Sequence, residues 1–235
     1  MFSQAIRAEF SALRLLFKNR VMLLLLVAMY GALLLAGYLF VSTREATISQ
    51  LLVTLGLVVV APVLFFALQA VSVNYVSGPG ANGLVRKSLY DGLRLVAVTV
   101  PVIGLTVLAF YGLRKIESHQ TVVVAVRYLL IGVVAPLLAI QLWVTASRDG
   151  LRALLRRAHK VTARAFAPQS VFIYACGALV FAIAPYFLIF HTSQIERAWL
   201  EVSLLAVRLV LSAFLILFGW VTTVGTLALL NKSEC

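Results

Sequence analysis

The sequence predicts an all-α polytopic membrane protein with six transmembrane helices, and three observations carry that prediction. Hydrophobic residues make up 63% of the 235-residue chain and charged residues only 12%, far from the balance of a soluble domain. The apolar residues fall into runs long enough to cross a bilayer, which takes about 20 helical residues. The cations, which give a formal charge of +12, cluster between those runs. A basic balance of this size can signal nucleic acid. Cations gathered at the ends of apolar runs point instead to lipid headgroups and membrane orientation. No nucleic-acid partner is expected.

The chain opens with an amphipathic helix over Ser3 to Asn19. Arg7, Ser11, Arg14 and Lys18 share one face, and Ile6, Phe10, Leu13 and Phe17 form an adjoining apolar stripe. Such a helix can lie in the interface with its cations among phosphates. Val21 to Val41 is the first span, too long for a signal peptide and without a small-residue cleavage site. Its Ala28, Ala32 and Ala36 form a small-residue row suited to close helix packing. After a polar turn over Ser42 to Ser49, with Arg44 and Glu45, the second span runs from Gln50 to Val73 and contains Pro62.

Three glycines and a proline within Ser77 to Gly83 mark a break. A second basic interfacial element, Leu84 to Leu93, carries Arg86, Lys87 and Asp91. The third span follows from Arg94 to Leu113, with Pro101. The turn Arg114 to Thr121 leads to the fourth span, Ala125 to Ala146, with Pro136. Next comes the most basic stretch. Arg148, Arg152, Arg156 and Lys160 recur every fourth residue, joined by Arg157 and Arg164, while Leu151, Leu154, Leu155, Ala158 and Val161 face another way. This predicts a third interfacial helix, ended by Pro168. The fifth span is Val171 to Phe190, with Pro185. The turn His191 to Leu200 precedes the sixth, Val202 to Leu230.

The same order of elements therefore occurs three times, over residues 1–76, 77–147 and 148–231 of a single membrane domain. Each unit is a hairpin of two spans preceded by a basic interfacial helix. Short identities accompany the order: Val59-Val60-Ala61-Pro62 returns as Val133-Val134-Ala135-Pro136, and Ala125-Val126-Arg127 as Ala206-Val207-Arg208. Units entering from one side would be parallel repeats about an axis along the membrane normal. With both termini and the interfacial elements on one side, that side holds 14 of the 20 Lys and Arg residues. The positive-inside bias then puts both termini in the cytoplasm, as expected for a bacterial inner-membrane protein.

Chemistry-bearing residues are sparse. All eight acids and the three histidines fall in turns, interfacial elements or span ends. This argues against an intramembrane carboxylate that couples ions or performs acid–base catalysis. His191, Glu196 and Glu201 match no metal-ligand spacing, and Cys176 and Cys235 form no ligand motif. No catalytic residue, metal or cofactor is expected. Gln69, Asn74 and Gln141 lie near span ends and suit interhelical hydrogen bonds better than substrate contact. Arg127 and Arg208 take equivalent places in the second and third units, with Val53 in the first. They suit either snorkelling or contact with an anionic headgroup at the outer mouth of a cavity. Arg148, Arg152, Arg156, Arg157 and Lys160 are the candidate contacts for anionic lipid on the inner side.

At Ser42-Thr43-Arg44-Glu45-Ala46-Thr47, at 164–170 (Arg-Ala-Phe-Ala-Pro-Gln-Ser) and at Leu217-Phe218-Gly219-Trp220, the chain resembles a group of bacterial six-span membrane proteins of uncharacterised activity. The plan of interfacial helix plus hairpin is similar in architecture to the membrane domain of some glycerophosphodiester phosphodiesterases, without their catalytic domain. The resemblance implies a fold and no activity. The expected function is that of a non-enzymatic membrane protein that engages lipid or serves as a scaffold or subunit of a membrane complex. The alternative is a transport component, such as a permease subunit served by a partner ATPase.

Overall fold

The structure is a computed structural model that describes residues 2–43, 47–77, 81–114, 120–190 and 198–233. Every regular element among them is helical. Six segments are long and apolar enough to cross a membrane: Arg20–Ser42, Ile48–Asn74, Arg86–Leu113, Thr121–Asp149, Pro168–Phe190 and Trp199–Asn231. The chain is an integral, all-helical, multi-pass membrane protein.

The helices are α1 (Phe2–Lys18), α2 (Arg20–Ser42), α3 (Ile48–Asn74), α4 (Ala81–Arg114), α5 (Gln120–Leu129), α6 (Ala135–Asp149), α7 (Leu151–Arg156), α8 (Ala158–Ala165), α9 (Pro168–Ala178), α10 (Ala184–Phe190) and α11 (Ala198–Ser233). Local chemistry sets several boundaries. The Asn19 side chain accepts from the Met22 N–H and starts α2. Thr47 and Gln50 form a reciprocal capping box at the start of α3. The second basic element is not a separate helix, because α4 runs unbroken from Ala81 through the third span.

The prolines act in two ways. Pro62 and Pro101 lie inside continuous α-helices. Pro136 and Pro185 each follow a π-turn, Leu130–Val134 and Leu179–Ile183, that joins α5 to α6 and α9 to α10. Proline has no N–H, so the carbonyl four residues earlier loses its ordinary helical donor. For Pro136 that carbonyl belongs to Gly132, and the Tyr174 hydroxyl of α9 donates to it at 2.6 Å.

Helices α3, α6 and α11 touch one another and form the centre of the bundle. Helix α2 packs on α3, α4 on both α3 and α6, and α9 and α10 on α11. The short helices α1 and α8 rest on α11 and α6. Burial is concentrated at one end. In the central helices it covers Ala67 to Asn74, Leu137 to Ser147 apart from Leu138, Leu142 and Thr145, and Val221 to Ala228. Toward the other end α3 exposes Leu51, Leu52, Val53, Leu55, Val58, Val59 and Val60 on all sides. The bundle is thus closed where α3 and α11 finish and open where α3 and α11 begin.

Small residues close the tight end. A Cβ at Gly177 would overlap Thr223, and one at Gly225 would overlap the Tyr75 ring and hydroxyl. Gly219 faces Phe181 and Val180 at 3.0 Å. These three glycines, rather than the expected alanine row, let the helices approach. Of that row only Ala36 is buried, and Ala28 and Ala32 are exposed.

Helix α1 packs on the bundle through Ala5, Ala12 and Leu16, and leaves the stripe Ile6, Phe10, Leu13 and Phe17 exposed. One further expectation is corrected. The basic stretch after the fourth span is not one helix. Gly150 has φ 81, a left-handed conformation natural only to glycine, and α6 ends there. Arg157 interrupts the remainder between α7 and α8. Arg148 therefore belongs to α6 and shares no continuous face with Arg152, Arg156 and Lys160.

Replacing Gly225 by Ala should cost about 1–3 kcal/mol through overpacking against Tyr75. Gly56→Ala, where nothing lies within 4 Å of the added Cβ, is the matched control. Reversible unfolding in mixed micelles should separate the two variants by that margin.

Candidate functional site

Arg148, Arg152, Arg156, Arg157 and Lys160 are all exposed at the closed end. Asp149 approaches Arg157 at 3.9 Å, a loose contact between two solvated groups. Apolar side chains stand beside them in two classes. Leu154 and Val161 are buried, whereas Leu155 is 76% exposed and Phe166 43% exposed. The expected apolar side of this stretch is therefore divided: part holds α7 and α8 to the bundle, and part faces outward next to the cations.

Arg127 and Arg208 lie toward the open end and are half-buried. The Arg127 guanidinium sits 5.8 Å from the centre of the Phe110 ring on α4. Its Nε is buried and has no hydrogen-bond partner. Arg208 is half-buried on α11.

Asp91, expected in the interfacial element Leu84 to Leu93, is buried at 1% exposure within the apolar segment Arg86–Leu113. Its Oδ2 accepts from Asn74 Nδ2 of α3 at 3.0 Å. Ser147 Oγ of α6 lies 3.1 Å from the same oxygen and 3.0 Å from Asn74 Oδ1. Asp91 Oδ1 faces Arg94 at 3.5 Å, and the Arg94 guanidinium stacks on Tyr90 at 4.4 Å. The carboxylate is thus held by three helices and balanced by one partly exposed cation. A group so fully occupied is built for holding helices together, since its lone pairs already have donors.

The other buried polar side chains also tie helices. Trp220 Nε1 donates to Gln69 Oε1 at 2.6 Å, and Trp143 Nε1 to Thr99 Oγ1 at 2.8 Å. Asn231 Nδ2 donates to Gln141 Oε1 at 2.7 Å. Gln69, Asn74 and Gln141 therefore act between helices, as expected. Among the described residues no three His, Cys, Asp or Glu side chains group as metal ligands. His191 and Glu196 lie outside the described residues, and Glu201 is exposed on α11.

Two cavities share a wall made by Phe65 and Trp220. One, of about 340 Å³, lies between α3, α4, the α5–α6 segment and α11. The other, of about 230 Å³, lies between α2, α3, the π-turn of the fifth span and α11. Both are lined almost wholly by apolar side chains.

Compared with family models, with curated proteins and with solved structures, the chain matches none. The fold class, a six-span all-helical membrane protein, stands on the structure alone. The short segments that suggested particular families carry no further argument.

Asp91→Ala leaves the Asn74 amide without its acceptor, Ser147 keeping Asn74 Oδ1, and a loss of about 1–3 kcal/mol is expected. Asp91→Asn keeps an acceptor oxygen and should lose less. Leu93→Ala, at a position 70% exposed, should lose little. Thermal loss of the monodisperse detergent-solubilised protein should rank the three in that order.

Proposed function

We propose that this protein is a non-enzymatic component of a bacterial cytoplasmic membrane that engages anionic lipid through cations at the closed end of its bundle, both termini lying in the cytoplasm. The observation that carries this reading is the outward-facing pairing of cation and apolar side chain in α7 and α8. Arg152, Arg156, Arg157 and Lys160 are exposed beside exposed Leu155 and Phe166. In water such leucine and phenylalanine exposure is unfavourable. At a bilayer boundary the apolar groups enter the acyl region while the cations meet phosphates. Helix α1 repeats the arrangement, with Phe10 71% exposed beside Arg7 and Arg14.

A three-unit plan supports the same reading. The central helices α3, α6 and α11 are the second spans of the three proposed units. Each basic segment touches the second span of another unit: α1 on α11, the start of α4 on α3 through Gly92 and Asp91, and α8 on α6. That cyclic pattern is what three parallel repeats about one axis would give. It would place all three basic segments at one membrane surface. A transport component for small polar solutes would need polar groups lining a mid-depth cavity. The two apolar cavities do not supply them.

Charge reversal at Arg152, Arg156 and Arg157 together should reduce the anionic lipid retained through gentle purification, read by native mass spectrometry, or invert the topology reported by cysteine labelling. Unchanged lipid retention together with unchanged topology would overturn the proposal.

A further inference from the structure

The larger cavity and Arg127 belong to one feature. Ile131, one turn after Arg127, lines the cavity, and Val107, one turn before Phe110, lines it from α4. Arg127 and Phe110 therefore stand over its open-end rim. From that rim the cleft descends past Pro136 to Trp143 and Trp220. On the α5–α6 segment the lining residues run from Ile131 to Trp143, roughly 18 Å along the helix at ~1.5 Å per residue. One leaflet of the hydrocarbon core is about 15 Å deep.

The walls offer nothing to a polar ligand. Thr106 Oγ1 donates to its own helix at Val102 O, 2.7 Å away. Thr99 Oγ1 donates to Leu95 O at 2.7 Å and accepts from Trp143, so neither hydroxyl has a free donor for an anionic or carbonyl group. The rim is the opposite. Arg127 has no carboxylate within ion-pair distance among the described residues, and its buried Nε has no partner. Snorkelling accounts for a cation near a membrane surface. It does not account for a guanidinium folded onto Phe110 with a buried, unused donor. An apolar shaft about one leaflet deep, crowned by a cation with no carboxylate partner among the described residues, is complementary to an amphiphile with a single negative head.

We infer that the cleft between α4 and the α5–α6 segment holds one acyl chain of an anionic phospholipid from the leaflet at the open end, with its phosphate on Arg127. A zwitterionic lipid brings its own cation and leaves the Arg127 charge less well balanced. The inference rests on the reading of this chain as a lipid-engaging protein, but at the opposite end of the bundle from the arginines of α7 and α8.

The test uses the two tryptophans that line the cleft. The full chain carrying Trp199→Phe retains only Trp143 and Trp220. It is placed in phosphatidylcholine nanodiscs doped at equal share with phosphatidylglycerol or phosphatidylcholine, each brominated midway along one acyl chain. Brominated phosphatidylglycerol should quench at least twofold more strongly, and excess unbrominated phosphatidylglycerol should restore the emission. Arg127→Gln should bring the two lipids to equal quenching, and Ala135→Phe, which fills the cleft, should weaken quenching by both. Equal quenching in the parent protein, no relief by the competitor, or an undiminished preference in Arg127→Gln would overturn the inference. The Arg152→Glu, Arg156→Glu, Arg157→Glu variant should keep the preference. Loss of the preference there and not in Arg127→Gln would assign it to the other end of the bundle, overturning this inference while leaving the reading of α7 and α8 intact.

Discussion

Polar groups inside the bundle have to find partners within the protein, and that constraint fixes the rest of the structure. Between helices in lipid, burying a leucine brings little advantage, because the displaced acyl chain is as apolar as its replacement. What sets one helix against another is close packing and the hydrogen bond that has nowhere else to go. Gln69 with Trp220 ties α3 to α11. Asn74, Asp91 and Ser147 tie α3, α4 and α6. Gln141 with Asn231 ties α6 to α11. Each such tie contributes modestly, about 0.6 to 2 kcal/mol. Together they join α3, α6 and α11 pairwise, so none of the three can shift without opening two contacts.

These ties and the three close-approach glycines share one end, and the shape of the molecule follows. Over its first half α3 is built mostly of leucine and valine, and these side chains are largely exposed. The cavities open where the packing relaxes. Pro136 sits on the wall of the larger one, directly after the π-turn that it terminates. The device that satisfies the backbone at this point, Tyr174 donating to Gly132, pins the fourth span to the fifth.

Much of this was legible in the sequence, and the exceptions have physical causes. Span existence and number followed from apolar run length, because lipid demands it. The interhelical roles of Gln69, Asn74 and Gln141 followed because an amide in an apolar run has few other uses. The burial of Asp91 is not legible, because Arg86 and Lys87 mark its short stretch as interfacial. Its actual partners, Asn74 and Ser147, come from other helices, and no local pattern displays them. The arginine ladder from Arg148 to Lys160 looked continuous because periodicity counts positions. It does not register that Gly150 can take a positive φ and end the helix. The packing face of α1, through Ala5, Ala12 and Leu16, was hidden by louder stripes of phenylalanine and arginine.

The charge inventory leads to the surroundings of the molecule. With 20 Lys and Arg against 8 Asp and Glu, pairing every acid still leaves 12 cations without an internal counterion. Among the described residues Asp91 meets Arg94, and Asp149 meets Arg157. A soluble protein would leave the surplus to dissolved ions at long range. Here the exposed cations stand beside exposed leucine and phenylalanine. On the reading proposed above, those apolar side chains would hold the cations at the bilayer surface and so determine which anions the arginines meet.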